Sequence, residues 1–420
     1  MKVLVVGGGG REHALCWKIA LSPLVKRVYC APGNGGIAGV AECVDVAAND
    51  VAGLVRFAKA EAIDLTVVGP EEPLCLGLVD AMRAASLRVL GPDQSAAEIE
   101  GSKAYAREVC RRNRIPSPGF WVFNDSSKAH AFLENRQEGP IVVKASGLAA
   151  GKGVTMARTR AEARTAVDEM MDQARFGAAG RTVVLEEFLE GSECSVIHLT
   201  DGKTFAPFEP ARDHKRVFDR DQGPNTGGMG AVSPVPGLGK RTLRQIEDQI
   251  LFPAVNGLNR EGRVFRGFLY AGCMLTATGP RLLEFNCRLG DPETQPILMR
   301  LSSDLVPLLL HAADGTLEQC EAPVFDSRTA VCVVAASGGY PGEYQKGCLI
   351  HGLDQVRGGP DLQVFHSGTA RRGGDLVTTG GRVLSVCALG KSVEEARSRA
   401  YTELAKIEFQ GIHYRRDIGA

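Results

Sequence analysis

The chain has 420 residues, and its 49 lysines and arginines balance 49 aspartates and glutamates, so the formal net charge is zero. This length predicts about three domains. The balance of charge excludes a strong basic field of the kind that attracts nucleic acid. The 12 cysteines are scattered singly with no CxxC pair, which argues against a structural zinc site and indicates a reducing compartment. With no signal-peptide pattern and no apolar stretch long enough for a bilayer, we expect a cytoplasmic protein that binds neither nucleic acid nor a membrane.

The N-terminal part alternates between apolar runs and helical stretches. The continuous apolar run at 3–6 is typical of a parallel strand that is buried on both faces, and a further strand is predicted at 65–68. Short turns rich in glycine and proline join them to helices predicted at 11–21, 50–60 and 74–85. This alternation predicts a doubly wound parallel sheet, whose ligands lie beyond the carboxyl ends of the strands.

A glycine-rich turn follows the first strand. It does not fit a dinucleotide-binding fingerprint, because Glu12 stands where the third glycine should be and no acid ends the second strand. Gly9, Gly10 and Arg11 open the first helix, where bare backbone N–H groups suit an anion. A turn that serves only packing is the alternative, and both interpretations stay open.

A second glycine-rich loop lies in the middle of the chain. One long helix is predicted at 94–112, and then a strand, the loop from Ser146 to Gly153 and another strand predict a flap over phosphates. The loop is not a Walker A motif, because only three residues separate Gly147 from Gly151 and no Ser or Thr follows Lys152. Residues 211–230 are polar and rich in glycine, which predicts a long binding loop.

The stretch at 280–295 concentrates the most chemistry. A strand period places Glu284, Asn286 and Arg288 on one face. The other face is predicted to be apolar, with Leu283, Phe285, Cys287 and Leu289. Carboxylate and amide oxygens suit Mg²⁺, and a guanidinium suits a transferring phosphoryl group. An edge strand with a solvated face is the alternative, but Asp291 and Glu293 add two carboxylates just beyond the strand.

The C-terminal part forms a further predicted unit from about residue 323. Strands are predicted at 330–335 and 383–388, with a hairpin around 371–374 between them. Ser392 and Glu395 form a capping box that begins the last helix.

Ten short motifs span nearly the whole chain. In order they are GGGGREHAL (7–15), APGN (31–34), GPE (69–71), VVKASGLAAGKGV (142–154), LEEFLEG (185–191), DHKR (213–216), GPNTGGMGA (223–231), EFNCRLGDPETQ (284–295), GGYPG (338–342) and HYRRDIG (413–419). This series resembles the phosphoribosylamine–glycine ligase family of ATP-grasp enzymes. The chain departs from the usual family residues at Gly8, Phe218, Gln222, Cys287 and Leu289. Phe218 and Gln222 leave the path of the 211–230 loop open, whereas Cys287 and Leu289 should only repack the core.

The resemblance implies a fold and a reaction. It implies an N-terminal α/β domain at 1–103, a two-lobed ATP-grasp core of α+β type at 104–322 with 120–189 as a mobile lid, and a small C-terminal α/β domain at 323–420. The implied reaction joins glycine to 5-phosphoribosylamine with ATP as co-substrate, in a protein expected to be a monomer.

The resemblance, together with side-chain type, also implies roles for individual residues. Glu284 and Asn286 should hold Mg²⁺ or Mn²⁺, and the catalytic residues should be Arg288, Asp291 and Asp213. The implied ATP contacts are Lys103, Lys144, Ser146, Gly147, Gly151, Lys152, Gly153, Glu186, Glu187, Phe188, Leu189 and Glu193. The implied substrate contacts are Gly9, Gly10, Arg11, Asp213, Lys215, Glu293, Arg415 and Arg416. The ribose phosphate could lie at the glycine turn or at Arg415–Arg416, and the sequence leaves this choice open.

Overall fold

A computed structural model describes residues 1–149 and 151–420. Ala150, within the predicted flap, lies outside the described residues. No helix within these two ranges is both long enough and apolar enough to cross a membrane.

The N-terminal unit is built on a parallel sheet, as predicted. Its strands are β1 Lys2–Gly7, β2 Arg27–Pro32, β3 Glu42–Cys43, β4 Leu65–Val68 and β5 Val89–Leu90. Its helices are α1 Gly10–Ala20, α2 Val51–Ala60, α3 Glu71–Cys75, α4 Leu78–Ala84, α5 Gln94–Gly101 and α6 Lys103–Arg112. The strand order is β3-β2-β1-β4-β5, with parallel pairing throughout. The four apolar residues 3–6 are fully buried in the centre of the sheet, which explains their continuous run.

Two helices that the sequence predicts as continuous are each broken. Gly77, in a left-handed conformation with φ +82°, separates α3 from α4. Ser102 is extended and separates α5 from α6, and its hydroxyl accepts a hydrogen bond from the Tyr105 N–H at 3.2 Å. Lys103 therefore begins a helix instead of lying inside one, and its N–H donates to the Ser146 carbonyl at 2.8 Å.

The next unit is a small separate lobe. Its elements are β6 Phe120–Phe123, α7 Ser126–Asn135, β7 Ile141–Ala145, β8 Val154–Ala157, α8 Arg160–Val167 and β9 Val183–Glu187. The antiparallel sheet has the order β6-β9-β7-β8. A core of its own, centred on Val143, Val183 and Leu185, holds this lobe together.

The remaining chain forms the second lobe and the C-terminal unit. The elements are β10 Ser192–Thr200, β11 Phe205–Pro207, β12 Arg212–Asp213, β13 Arg216–Phe218, β14 Gln222–Asn225, β15 Gly230–Ser233, α9 Lys240–Ile246, α10 Phe252–Arg260, β16 Gly267–Thr276, β17 Gly279–Asn286, α11 Thr294–Arg300, α12 Leu305–Asp314, β18 Thr329–Ala336, β19 Leu362–His366, β20 Thr369–Arg372, β21 Asp375–Thr378, β22 Arg382–Gly390 and α13 Val393–Leu404. The second lobe is a sheet in the order β11-β10-β16-β17, in which β10 and β11 form a hairpin.

The predicted 211–230 loop is largely β-structure, so that prediction is wrong. β13 and β14 form a hairpin, while β12 and β15 join the C-terminal sheet in the order β12-β15-β18-β22-β19. The prediction relied on the polar, glycine-rich composition of the segment. It overlooked isolated apolar residues such as Val217 and Met229, which are buried against Ala336. Phe218 remains exposed at the hairpin, edge-on to His413.

A buried histidine joins the N-terminal and C-terminal units. His13 in α1 packs edge-on against Phe365 at a ring distance of 5.6 Å, and its Nδ1 accepts the His366 N–H at 2.8 Å. Burial, together with neighbouring His366, lowers the pKa of His13 to about 3. Protonation of Nδ1 would set one donor against another, so the contact needs a neutral ring.

We expect the His13→Asn variant to lose less stability than the unaltered protein as the pH falls from 8 to 5. The pKa of His13 is lower in the folded state than in the unfolded state. The stability that the neutral ring contributes is therefore fully present above about pH 6.5 and is lost as the pH falls. At pH 5 the neutral His13 ring therefore costs the fold about 2 kcal/mol, a cost that asparagine avoids while keeping an acceptor. The measurement is the melting temperature between pH 5 and pH 8, with the exposed His351 changed to Asn as the control. An unchanged slope in His13→Asn would contradict the assignment.

Candidate active site

The predicted metal strand is β17, and it contains a bulge. Gly272 on β16 faces Glu284, but its neighbour Cys273 faces Leu282, so Leu283 is an extra residue. Leu282 therefore packs in the core, and the prediction that placed Leu283 there is wrong. The freed Leu283 carbonyl accepts from Lys144 Nζ at 3.0 Å. Cys287 and Leu289 are buried as predicted.

The polar face of this sheet is assembled by cross-strand registration. Ser195 on β10, Gly272 on β16 and Glu284 on β17 lie in one row. Glycine in the middle of this row relieves crowding, because a Cβ there would lie 3.2 Å from the Glu284 Cγ. Asn286 faces Tyr270 in the next row on the same face. Because the residues in this row are small or polar, this face of the sheet has room for oxygen ligands to lie close together.

Cations surround the predicted metal ligand Glu284. Burial alone would raise its pKa, but Lys215, Lys144, Lys103 and Arg288 together lower it. Lys215 Nζ lies 3.7 Å from Glu284 and 2.9 Å from Glu193. Glu284 is thus held ionised beside an amide oxygen, a donor set that fits Mg²⁺, and the excess of cations fits phosphate groups.

The two predicted phosphate-binding lysines approach from opposite sides. Lys103 Nζ donates to the Gly147 carbonyl at 3.1 Å. Lys144 Nζ lies 2.8 Å from Glu186. The Glu186 carboxylate also accepts hydrogen bonds from Nε and Nη2 of Arg107, at 2.6 and 2.8 Å. All three of these side chains are buried, so the Glu186 side chain is committed to Arg107 and Lys144. The sequence did not reveal this role of Arg107.

The predicted flap connects β7 to β8. The N–H groups of Ser146 and Gly147 donate to the Thr182 and Ala179 carbonyls, while Gly151 has φ +75°. Lys152 is exposed, and Gly153 is packed against Ala145 and Ala149. The first residues of the flap are therefore hydrogen-bonded to other parts of the same lobe.

The predicted adenine segment follows β9. Glu187 is exposed, and its Oε2 accepts the Gly119 N–H at 2.8 Å. Phe188 is exposed and Leu189 is half-buried. Apolar side chains are thus accessible at the end of this segment, whereas the Glu187 N–H donates to the Gly119 carbonyl at 2.9 Å.

A second cluster gathers carboxylates beside Lys215. Burial raises the pKa of Asp213 to about 8 against the opposing effect of Lys215, and Glu293 adds to the rise. Glu293 Oε1 accepts the Tyr270 hydroxyl at 2.9 Å and the Ser195 hydroxyl at 3.2 Å. Sequence reasoning missed Tyr270 and Ser195, although each lies two residues from a position on the polar face.

The glycine turn at the start of α1 meets a carboxylate from another unit. Arg11 N donates to Asp291 Oδ2 at 3.3 Å, and Arg382 Nη2 lies 3.6 Å from the same oxygen. Burial would raise the pKa of Asp291, but Arg382 and Arg11 lower it. Gly10 permits this approach, since a Cβ there would lie 2.6 Å from Gln295 Nε2.

Glu12 explains why the dinucleotide fingerprint fails. Its carboxylate accepts the Gly9 N–H at 2.6 Å, and its side chain fills the space next to Gly7 and Gly69. A capping side chain thus occupies the position where a third glycine would give room for a pyrophosphate.

Arg415, a candidate for the ribose phosphate, is committed to internal partners. Its side chain is only 1% exposed. Nε and Nη2 both donate to Asp417 at 2.7 Å, and Nη1 donates to Asp221 at 2.7 Å and to the Arg216 carbonyl at 3.1 Å. Arg416 is exposed, and its backbone N–H donates to Asp219. Arg415 therefore fastens the β13–β14 hairpin to the C-terminal segment.

We expect Arg415→Ala to have a larger effect on the free energy of unfolding than on the free energy of substrate binding. The change breaks charge-assisted hydrogen bonds to two carboxylates, a loss on the order of 2 kcal/mol. The measurements are the melting temperature and the apparent affinity for the nucleotide substrate, and Arg416→Ala is the exposed control for the melting temperature. If Arg415→Ala melts like the unaltered protein and loses only substrate affinity, Arg415 is a phosphate ligand after all.

Sequence comparisons identify the family. Residues 1–100 match the N domain of phosphoribosylglycinamide synthetase, residues 101–294 its ATP-grasp (A) domain and residues 330–420 its C domain. The chain belongs to the phosphoribosylglycinamide synthetase family. It is 50% identical to a phosphoribosylamine–glycine ligase of Yersinia pestis and 52% identical to one of Allochromatium vinosum, over the whole chain and 98% of each relative.

Solved structures agree with this family assignment. The crystal structure of a phosphoribosylamine–glycine ligase from Thermotoga maritima is 34% identical, with a TM-score of 0.85 and full coverage of both chains. A biotin carboxylase from Campylobacter jejuni covers 98% of this chain with a TM-score of 0.75, but at 13% identity. The second similarity shows only that the ATP-grasp architecture is shared.

Proposed function

We propose that this chain catalyses the ATP-dependent ligation of glycine to 5-phosphoribosylamine, giving glycinamide ribonucleotide, ADP and phosphate. The observation that carries the proposal is the convergence of Glu284, Asn286 and Arg288 with Lys103 and Lys144 at the junction of the two lobes. Relatives that bear the name of this ligase match the entire chain, at about half of all positions.

The chemistry explains why ATP is required. A carboxylate cannot be joined to an amine at neutral pH until one of its oxygens becomes part of a leaving group. A glycine oxygen attacks the γ-phosphorus, the bond to the β–γ bridging oxygen breaks, and ADP departs with that electron pair. The amine of phosphoribosylamine then attacks the carbonyl carbon of glycyl phosphate, phosphate leaves, and the amine loses a proton. The protein mainly positions the reactants and stabilises charge.

Glu284 and Asn286 would hold Mg²⁺, or Mn²⁺ in its place. When bound, the metal would neutralise part of the charge of the ATP phosphates. Lys103 and Lys144 supply further positive charge from the two sides of the cleft. Arg288 has a pKa raised well above its usual value because Glu100 and Glu71 outweigh its burial, so it stays charged for the phosphoryl group.

The ATP base and ribose are assigned to the segment that follows β9. Backbone groups at 186–189 would bind the adenine edge, in line with the engagement of the Glu186 side chain elsewhere. Glu193 would bind the ribose hydroxyls while paired with Lys215. The flap from Ser146 to Gly153 would close over the phosphates through backbone N–H groups beyond Ser146 and Gly147, whose own N–H groups donate to carbonyls of the same lobe.

The carboxylates beyond β17 suit the two amines. Asp291 is kept anionic by Arg382 and Arg11, which favours contact with an ammonium group. Asp213, whose pKa is raised to about 8 by burial, titrates near neutral pH and would exchange a proton with an amine. Glu293 is held by Tyr270 and Ser195 in the same cluster and would orient the amine.

The ribose phosphate is assigned to the α1 turn. The internal pairing of Arg415 disfavours the C-terminal candidate. At the turn, the N–H groups of Gly9 and Arg11 already donate to Glu12 and Asp291, so a phosphate at Gly9, Gly10 and Arg11 would have to displace these carboxylates. Arg382 beside this turn adds positive charge.

The decisive experiment is ADP release in the presence of Mg²⁺ and ATP. Release should require both glycine and phosphoribosylamine, and omission of either should return the rate to background. A panel that includes bicarbonate and formate tests the alternative of another ATP-grasp ligase. Equal ADP release without glycine, or turnover with bicarbonate instead, would overturn the proposal.

A further inference from the structure

Arg288 is held by two carboxylates from the N-terminal unit. Its Nε donates to Glu71 Oε2 at 3.1 Å, and its Nη2 donates to Glu100 Oε1 at 2.7 Å. Glu71 is the first residue of α3 and belongs to the GPE motif, and Glu100 lies near the end of α5. Neither residue lies among the ligands expected for ATP, metal or substrate. We propose that Glu71 and Glu100 are positioning residues that fix the orientation of the Arg288 guanidinium for phosphoryl transfer, an inference that rests on the proposed function.

The backbone of the strand end makes this support necessary. β17 ends at Asn286, so Arg288 lies beyond the last ladder hydrogen bond. Glu100 replaces the ladder partner, because its Oε2 accepts the Cys287 N–H at 2.7 Å. One carboxylate therefore holds both the backbone that leads to Arg288 and the guanidinium itself.

The guanidinium has few donors left after these contacts. Nη2 also donates to Asn286 Oδ1 at 3.2 Å, and Nη1 donates to the Leu289 carbonyl at 3.2 Å. Of the five N–H donors of an arginine, the remaining one is on Nη1. The carboxylates thus determine which edge of the group can meet a phosphoryl oxygen, and they keep Asn286 next to it.

A second guanidinium meets the same carbonyl. Arg11 Nη1 donates to the Leu289 oxygen at 3.1 Å. Arg288 and Arg11 together lower the pKa of Glu71 to about 2 despite its burial, so its negative charge is permanent at neutral pH. Burial raises the pKa of Glu100, and the charge of Arg288 opposes this rise. Arg288 therefore favours the ionised form of Glu100. The network joins the turn of α1 to the predicted site of phosphoryl transfer.

The test compares Glu71→Gln and Glu100→Gln with Glu72→Gln. Glu72 is the exposed neighbour of Glu71 in the same helix and is the matched control. Each of the first two variants should lower kcat by about 10-fold or more, with little change in ATP affinity. Glu71→Asp and Glu100→Asp should recover part of the loss, because they restore the charge.

A double-mutant cycle with Arg288→Ala decides whether the carboxylates act through the arginine. If they do, Glu71→Gln and Glu100→Gln cause no further loss in the Arg288→Ala background. Equal losses in both backgrounds would overturn the proposal, and so would a fall in ATP affinity in proportion to kcat. If Glu100→Gln fails to fold, Glu71→Gln, whose parent side chain is 25% exposed, carries the test alone.

A readout without turnover separates this inference from the proposed function. The Nε–H of Arg288 can be followed by NMR with isotope-labelled arginine and assigned with Arg288→Lys. Its solvent exchange should be slow in the unaltered protein and in Glu72→Gln, and faster in Glu71→Gln. Slow exchange in all three would overturn the positioning role, whereas absence of glycine-dependent ADP release from the unaltered protein would overturn only the proposed function.

Discussion

Replacing Arg288 by alanine is expected to lower turnover by about 10²–10³ while leaving ATP affinity nearly unchanged. Ground-state ATP would already be bound through the metal at Glu284 and Asn286 and through the two lysines. Charge spreads over the equatorial phosphoryl oxygens only in the transition state, and a donor that binds best at that moment raises kcat without tightening substrate. The guanidinium lies 3.2 Å from the oxygen of the predicted metal ligand Asn286, which is the placement this role needs.

The measurement is steady-state kinetics together with direct nucleotide binding. Glu284→Ala provides the contrast, because loss of a metal ligand should weaken binding of Mg²⁺·ATP itself. If Arg288→Ala loses ATP affinity as much as it loses turnover, Arg288 is a ground-state phosphate ligand.

Replacing Glu186 by alanine is expected to lower the free energy of unfolding of the lobe that contains β6 to β9 by about 3–5 kcal/mol. Glu186 is the carboxylate that Arg107 and Lys144 share, and each of the three side chains is no more than 8% exposed. Their other shared acceptor is the uncharged Leu283 carbonyl. Its removal leaves two buried cations facing each other across the junction of the lobes. Burial would raise the pKa of Glu186, but Lys144 and Arg107 lower it to about 2. The stabilisation is therefore present above about pH 4.5 and is lost as the pH falls towards 2.

Thermal unfolding and hydrogen exchange in β7 and β9 measure this effect. Glu187→Gln is the control, since the exposed neighbouring carboxylate makes one hydrogen bond, to Gly119. A melting temperature for Glu186→Ala equal to that of Glu187→Gln would mean that the two cations find other partners, and that the buried ion pairs contribute little.

The sequence predicted the structural units because local rules govern them. The alternation of strands and helices predicted the parallel strands at 3–6 and 65–68. The helix predicted at 50–60 forms as α2, and the Asp50 carboxylate caps it by accepting the Gly53 N–H. Period-two spacing placed Glu284 and Asn286 together on one strand, and the motif series predicted the family. Each of these inferences depends on neighbours within a few residues or on residues that match a known family.

Only the tertiary structure decided which side chains the site uses and how they are held. The bulge at Leu283 depends on the partner strand β16, and a strand period read from one chain segment cannot reveal it. Arg415 was an open choice in the sequence, and the hairpin that binds it is about 200 residues away in the chain. Glu71, Glu100, Arg107 and Arg382 reach the site from separate elements. The sequence thus determined the chemical groups and their local geometry, whereas long-range packing decided their partners, because the energy of a buried charge depends on what surrounds it in space.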